Sequence, residues 1–315
     1  MAKPPEIKYF SPDEQLNLAL LKILKTYSGR LFACYLDMIK NPDSELIHDA
    51  RVYGRRFQAV FEIYSPLLHS ENDNKTILKI RKISLALKKI IELLGVVRDS
   101  EVTFQIISKL ISKYDEPGST ALMMLASNLR AEKVSGIDWL KKSRKLKNFV
   151  LYREHIDSLL EERLENDILP YLKETKFREN YQYMINLKYN EMIVRKEKVV
   201  GHPENIKDVH KMRIDAKLLR YLLEISPESF SKDFNSALNQ IKNFTESVGE
   251  LHDLDVAAKV TTNYLKNLDY HHSSGSLIVL LRELDEKRKE LFLKIQAKII
   301  KWDSIQLSKK IINLN

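Results

Sequence analysis

Apolar residues recur along most of this chain at spacings of three and four, the period of an amphipathic helix. In Val209 to Ile225, Met212, Leu218, Leu219, Leu222 and Leu223 gather on one side of a helical wheel. On the other side His210, Arg213, Lys217, Arg220, Tyr221 and Glu224 fall within an arc of roughly 100°. Ile47 to Ile63 is built alike, with Phe57, Val60 and Phe61 facing one way and His48, Arg51, Arg55 and Glu62 the other. No alternating strand pattern competes. The pattern predicts helices over about 12–40, 44–65, 75–113, 119–134, 138–164, 167–199, 205–225, 230–268 and 275–301. Breaks are expected at Asn41-Pro42, Asp115 to Gly118, Gly201 to Pro203, Pro227 and His271 to Gly275, so the fold class is all-α.

The two cationic stripes are copies of one pattern. Ile47-His48-Asp49-Ala50-Arg51, then Arg55 and Glu62, returns as Val209-His210-Lys211-Met212-Arg213, then Lys217 and Glu224, each matched residue 162 places further on. A second element, Lys88, Glu92, Gly95 and Asp99, recurs as Lys242, Glu246, Gly249 and Asp253 at an offset of 154. A duplicated unit usually stacks against its copy and buries a shared surface. Two helical-bundle halves are therefore expected, residues 1–165 and 166–315, dividing near Asn166 to Pro170. Pro170 follows Leu169 with no polar linker, so the halves should pack together.

A basic stripe on one helix is by default a solvated face. Here it is led by histidine and recurs at matched positions while the residues between diverge, which points to a bound anion. The expected binding surface is His48, Arg51, Arg55, Arg56, Lys88 and Arg98 from the first half. The second half contributes His210, Arg213, Lys217, Arg220, Lys242 and His252. Glu62 and Glu224 are expected to hold a neighbouring base through i, i+4 or i, i+7 contacts. The repeated glycine costs about 1 kcal/mol against alanine inside a helix, so it should permit close approach of a helix or a ligand. Asp99 and Asp253 follow Arg98 and His252 and can orient a base, with a structural ion pair at a tight crossing as the competing account.

Composition narrows the partners. A formal charge of +9 in 315 residues, with a pI near 9.2, favours polyphosphate, nucleic acid or an anionic membrane. No run of 18 or more apolar residues occurs, so no membrane-spanning helix is expected, and Met1 to Pro5 leads into no apolar signal segment. Cys34, the one cysteine, excludes an intrachain disulfide and sits in an apolar, core-like context. There is no glycine-rich phosphate loop and no cysteine zinc framework, and neither a metal nor a cofactor is expected. Lys141 to Lys147 and Arg282 to Lys289 read as solvated charged faces. His48-Asp49 and His252-Asp253 superficially resemble the His-Asp pair of metal-dependent phosphohydrolases, with His210, His252, Asp253 and Asp269 in a workable chain order. Yet Asp49 points roughly 100° away from His48 on its helix, and the duplicated motif accounts for both pairs. A non-catalytic protein is expected.

Ile47 to Ile63 and Val209 to Ile225, with Leu94-Gly95-Val96-Val97-Arg98-Asp99 and Val248-Gly249-Glu250-Leu251-His252-Asp253, resemble the CHAD family, the conserved-histidine α-helical domain. The resemblance runs from about Ser11 to the C-terminal helix. It implies halves related by a pseudo-two-fold axis, with the basic stripes lining a central cavity or pore. It also implies inorganic polyphosphate as the ligand, and residence in the cytoplasm with targeting to polyphosphate granules. Two departures stand out: Gln58 occupies a position where the pattern favours a base, which Arg220 supplies in the second copy, and Leu218 stands opposite Arg56. The halves should therefore contribute unequally. Relatives are often joined to a triphosphatase domain carrying Glu-x-Glu-x-Lys; that motif is absent here, so the binding module alone is expected. RNA is the competing ligand, but base recognition usually adds exposed aromatics, and Tyr53, Phe57 and Phe61 lie on the apolar side.

Overall fold

The periodic segments fold as helices in the order the pattern predicts. A computed structural model describes residues 3–112, 120–165, 169–202, 205–225, 232–268 and 275–300. Its first helices are α1 (Leu16–Lys40), α2 (Ser44–Tyr64), α3 (Asn74–Ile111) and α4 (Thr120–Lys142). Short pieces follow: α5 (Arg144–Phe149), α6 (Tyr152–Leu160) and α7 (Tyr171–Glu174). The second series is α8 (Phe177–Val194), the single turn α9 (Lys196–Val199), α10 (Ile206–Leu223), α11 (Lys232–Lys266) and α12 (Gly275–Ile300). No strand occurs among the described residues; an isolated bridge pairs Gln15 with Lys176.

Local chemistry sets the starts of the two helices that matter most in the first series. Asp43 caps α2, its carboxylate accepting from the Leu46 N–H at 2.7 Å, and Asp73 caps α3 through the Thr76 N–H at 3.1 Å. Each cap satisfies a backbone donor that the first turn leaves without an intrahelical partner.

Consecutive helices pack side by side: α1 on α2, α2 on α3 and α3 on α4, then α8 on α10, α10 on α11 and α11 on α12. Lateral contacts of α1 with α8, α2 with α10, α3 with α11 and α4 with α12 join the two series. One continuous core results, in which Tyr27, Phe32 and Phe57 share a cluster with Tyr181, Met212 and Leu222. A second cluster, including Ile107, Leu122 and Leu125 with Leu277 and Leu280, closes the far ends of α3, α4, α11 and α12. Both series of helices thus contribute side chains to the same core.

Three boundaries differ from the pattern-based expectation. The first helix begins at Leu16 and not near 12, because the preceding residues are tied to the α8 entry: Pro12 O accepts from the Arg178 N–H at 2.8 Å and Glu14 O from the Phe177 N–H at 3.0 Å. The break expected between 134 and 138 is absent; α4 runs through Gly136, where an added Cβ would stand 3.0 Å from Val97 Cγ2. That glycine serves a close helix crossing and not a turn. The stretches 138–164 and 167–199 are each divided into shorter helices, with a π-turn at Glu161–Glu165 and Pro170 opening α7. The breaks expected at Asp115 to Gly118, Pro203, Pro227 and His271 to Ser274, the residues Asn166 to Ile168 at the division of the halves, and Asp269 lie outside the described residues.

Candidate functional site

Where α2, α3, α10 and α11 meet, the two stripes face each other. Arg51 and Arg55 on α2 and Arg213 and Lys217 on α10 lie close together, and the Arg55 charge lowers the ionisation of Arg51, Arg213 and Lys217. The Nε atoms of Arg51, Arg55 and Arg213 are buried and, among the described residues, have no hydrogen-bond partner. A buried unsatisfied donor costs about 1–3 kcal/mol, more when charged, so three at one place need an explanation. Arg51 is partly compensated by Asp99 on α3, whose carboxylate stands 3.6 Å from its Nη2. The Arg51 guanidinium also lies over Gly95, 3.5 Å from where a Cβ would be, an ordinary van der Waals distance that an alanine would also allow.

Burial and mutual repulsion act in the same direction on these cations. Burial, then the Arg213 and Arg55 charges, push the Lys217 ammonium down to about 6. Burial and Arg55 hold Arg51 at about 10, and the same two causes lower Arg213. The histidines follow. His252 is pushed down to about 4 by burial, Arg213 and His210, whose ring centroid is 5.7 Å from its own. His210 is lowered by burial, Arg213 and Lys217, and His48 by burial and Arg98. Asp253 moves the other way: burial raises it, with Asp99 adding to the rise while Arg213 opposes it. The site is an excess of cations held partly out of water.

Two cavities open on this cluster. One of about 540 Å³ is bordered by Arg55, Lys88, His210, Lys217 and Tyr221. The other, of about 390 Å³, lies on the far side of His210 and is bordered by Arg213 and His252. Larger cavities of about 780 and 660 Å³ lie along the outer face of α3, around Val96 and Trp139 and around Leu85 and Tyr152. Their linings are mainly apolar and touch none of these paired cations, so size does not pick out the site.

The structure does not bring all twelve expected residues together. Arg56 is corrected from a ligand-facing base to a buried one: it is 1% exposed, and its Nε binds Glu224 Oε2 at 2.8 Å. Arg220 takes the other oxygen of the same carboxylate at 2.8 Å and reaches Thr245 at 3.2 Å, so it too belongs to the packing between the helices. Arg56 sits one position round from the stripe, whereas Arg220 lies within the arc and is drawn aside by the same Glu224 carboxylate. Arg98 stands beside His48 but is held by Glu101 at 2.8 Å. Lys242 is half-buried, one turn before Glu246 on α11, and borders neither cavity. Glu224 holds a base as expected, whereas Glu62 instead accepts from the Gln58 amide at 2.8 Å. The two repeated glycines also differ, since an added Cβ at Gly249 would meet no described atom within 4 Å.

Pattern reading missed Lys207, Lys211 and Arg288, all of which border the smaller cavity. The first two lie on the motif helix but have no basic counterpart in the first half; Arg288 was hidden in a run of mixed charge. Among the described residues, no group of three or more His, Cys, Asp or Glu side chains is arranged to hold a metal ion, and no helix is long and apolar enough to cross a membrane.

These features define a class: an all-helical domain with a nest of desolvated cations where four of its helices meet. The chain belongs to the CHAD domain family, whose pattern matches residues 23–262. Its fold is similar to that of the CHAD domain from the plant Ricinus communis, with a TM-score of 0.70 at 15% identity, covering 96% of this chain and 97% of that one. It is also similar to PptA from Streptomyces chartreusis, with a TM-score of 0.68 at 13% identity, covering 91% of this chain and 100% of that one. At such identities the likeness is one of fold. A comparison with the curated proteins found no match.

The shifted groups make a testable pH dependence. Lys217 titrates at about 6 in the anion-free protein against an ordinary 10.5, so a bound anion, by favouring the charged form, should draw a proton onto it. His210, His48 and His252 are lowered for similar reasons and add further uptake below neutrality. Affinity for a polyanion is therefore expected to rise as pH falls from about 8 to 5.5, and a flat profile would remove the histidines and Lys217 from the site. Stability should move oppositely. Between about 6 and 10.5 the unfolded chain holds a proton on Lys217 that the folded, anion-free chain lacks, so folding strengthens as pH rises through that window. Lys217→Met should accordingly raise the unfolding midpoint more at pH 6 than at pH 10, while weakening anion binding.

Proposed function

We propose that this protein is a non-catalytic binding module for inorganic polyphosphate. The observation that carries the reading is the set of half-buried arginines Arg51, Arg55 and Arg213 with buried, unsatisfied Nε donors, beside a lysine depressed to about 6. Only a multiply charged acceptor meets both needs, since a single neutral ligand would leave the mutual repulsion in place. Membership of the CHAD domain family supports the same ligand through the resemblance described above. A phosphate chain has closely spaced charges and no bases, so it asks for cations along a path and for nothing to stack on.

In this reading the α1–α4 and α8–α12 series are two copies of one unit, and the like-with-like packing of α2 on α10 and α3 on α11 brings their stripes face to face around a basic central cavity. The module acts in the cytoplasm and recruits the protein to polyphosphate granules. RNA fits less well, because Tyr53, Phe57 and Phe61 are buried and offer no platform for bases.

The test is a titration with long-chain polyphosphate at several salt concentrations, repeated with RNA as competitor at equal phosphate. Each phosphate held should contribute roughly −0.7 to the log–log salt slope, so four to six contacts give a slope of about −3 to −4. Efficient displacement by RNA, or binding indifferent to salt, would overturn the assignment.

A further inference from the structure

The cavity of about 390 Å³ at the His210–His252 pair goes beyond the repeated motif. The motif supplies His210, Arg213 and His252; Lys207 and Lys211 come from the first two turns of α10, and Arg288 comes from α12. Asp255, the acid in the lining, is already engaged, accepting from Arg288 Nε at 2.6 Å. The apolar part of the lining is Val209, Val248 and Leu251, and Lys207 and Lys211 are exposed to solvent.

The matched end of the first half is different in charge and in space. Glu45 and Asp49 stand 162 places before Lys207 and Lys211, so both signs are reversed. Arg51 is folded onto Gly95 and bound to Asp99 at 3.6 Å, whereas the space over Gly249 holds no described atom within 4 Å of an added Cβ. His210 borders both cavities on the cluster, so one side chain is common to the Arg55–Lys217 cavity and to the smaller one.

We propose that this smaller cavity is a phosphoryl subsite supplied by the second half alone, so that a phosphate chain is gripped along a lopsided path whose cationic end is Lys207, Lys211 and Arg288. This rests on the polyphosphate reading of the site. The arrangement suits phosphoryl groups because lysine ammoniums act as mobile point charges around a fixed guanidinium, while the imidazoles donate from the side.

The experiment compares wild type, Lys207→Glu with Lys211→Glu, and Lys141→Glu with Lys142→Glu, against both tripolyphosphate and long-chain polyphosphate. The two variants change net charge equally, and the latter pair lies exposed at the end of α4. Lys207 and Lys211 are exposed as well, and acids near the start of α10 suit the helix dipole, so the fold should survive; the unfolding midpoint checks this. The pocket variant should bind both ligands at least roughly tenfold more weakly, with a salt slope shallower by about 1.4, two contacts at about 0.7 each. The α4 variant should keep the wild-type slope. Equal losses in the two variants, or unchanged tripolyphosphate binding in the pocket variant, would overturn the subsite while leaving the polyphosphate reading intact. Failure of wild type to bind either ligand would overturn both.

Discussion

Arg51→Glu combined with Arg213→Glu should abolish polyphosphate binding while leaving the helical fold in place. Each substitution removes a desolvated guanidinium and puts a carboxylate against the ligand. A hydrogen bond to a charged group contributes about 1.5–3 kcal/mol, so losing two at about 2 kcal/mol each gives roughly a thousandfold drop in affinity before repulsion is counted. The fold should tolerate the change because the wild-type cluster is already strained by like charge: Arg55 lowers Arg51 and Arg213 alike, and all three press on Lys217. New carboxylates would stand among these cations and relieve them. The measurement is a polyphosphate titration beside far-ultraviolet circular dichroism and thermal unfolding. Retained binding in a folded double variant would mean that the paired stripes are structural.

The largest loss of stability should come from Glu224→Gln. Glu224 is 6% exposed and shares its two oxygens between Arg56 and Arg220, each at 2.8 Å. The amide keeps the shape and removes the charge that the two buried guanidiniums share at 2.8 Å; Glu246 stands farther off, 4.0 Å from Arg220. Breaking a buried pair from one side typically costs about 3–5 kcal/mol, a large part of the stability of most folded proteins. A denaturant titration should show the midpoint falling with little change in slope. Polyphosphate affinity of the folded fraction should be nearly unchanged, since both arginines are buried in the packing between the helices and spent on Glu224. A variant as stable as wild type would show that the arginines find other partners. A variant that is stable but no longer binds would return Arg56 and Arg220 to the site.

These two predictions separate residues that look alike in sequence. Arg55 and Arg56 are neighbours on α2, and both are basic. A turn of roughly 100° places Arg55 on the cavity and Arg56 in the interior, but the wheel alone did not exclude Arg56. What decides is Glu224, the residue that follows α10, which waits at the buried position. Arg220 was read as a ligand from the width of the polar arc, and the same carboxylate claims it. Among the glycines, equal spacing concealed unequal use: Gly95 lies under Arg51 and Gly249 under open space.

By itself the sequence determined the helices, the stripe positions of His48, Arg51, Arg55, His210, Arg213 and Lys217, and the excess of positive charge. These are local or additive properties: a period of 3.6, a fixed offset between copies and a count of ionisable groups need no knowledge of neighbours. Tertiary structure alone decided which bases are desolvated, which are neutralised by Glu224, Asp99 or Glu101, and that Arg288 joins Lys207 and Lys211 beside His252. Burial and Coulomb interaction depend on distances across helices far apart in the chain, and those distances exist only once the helices have packed.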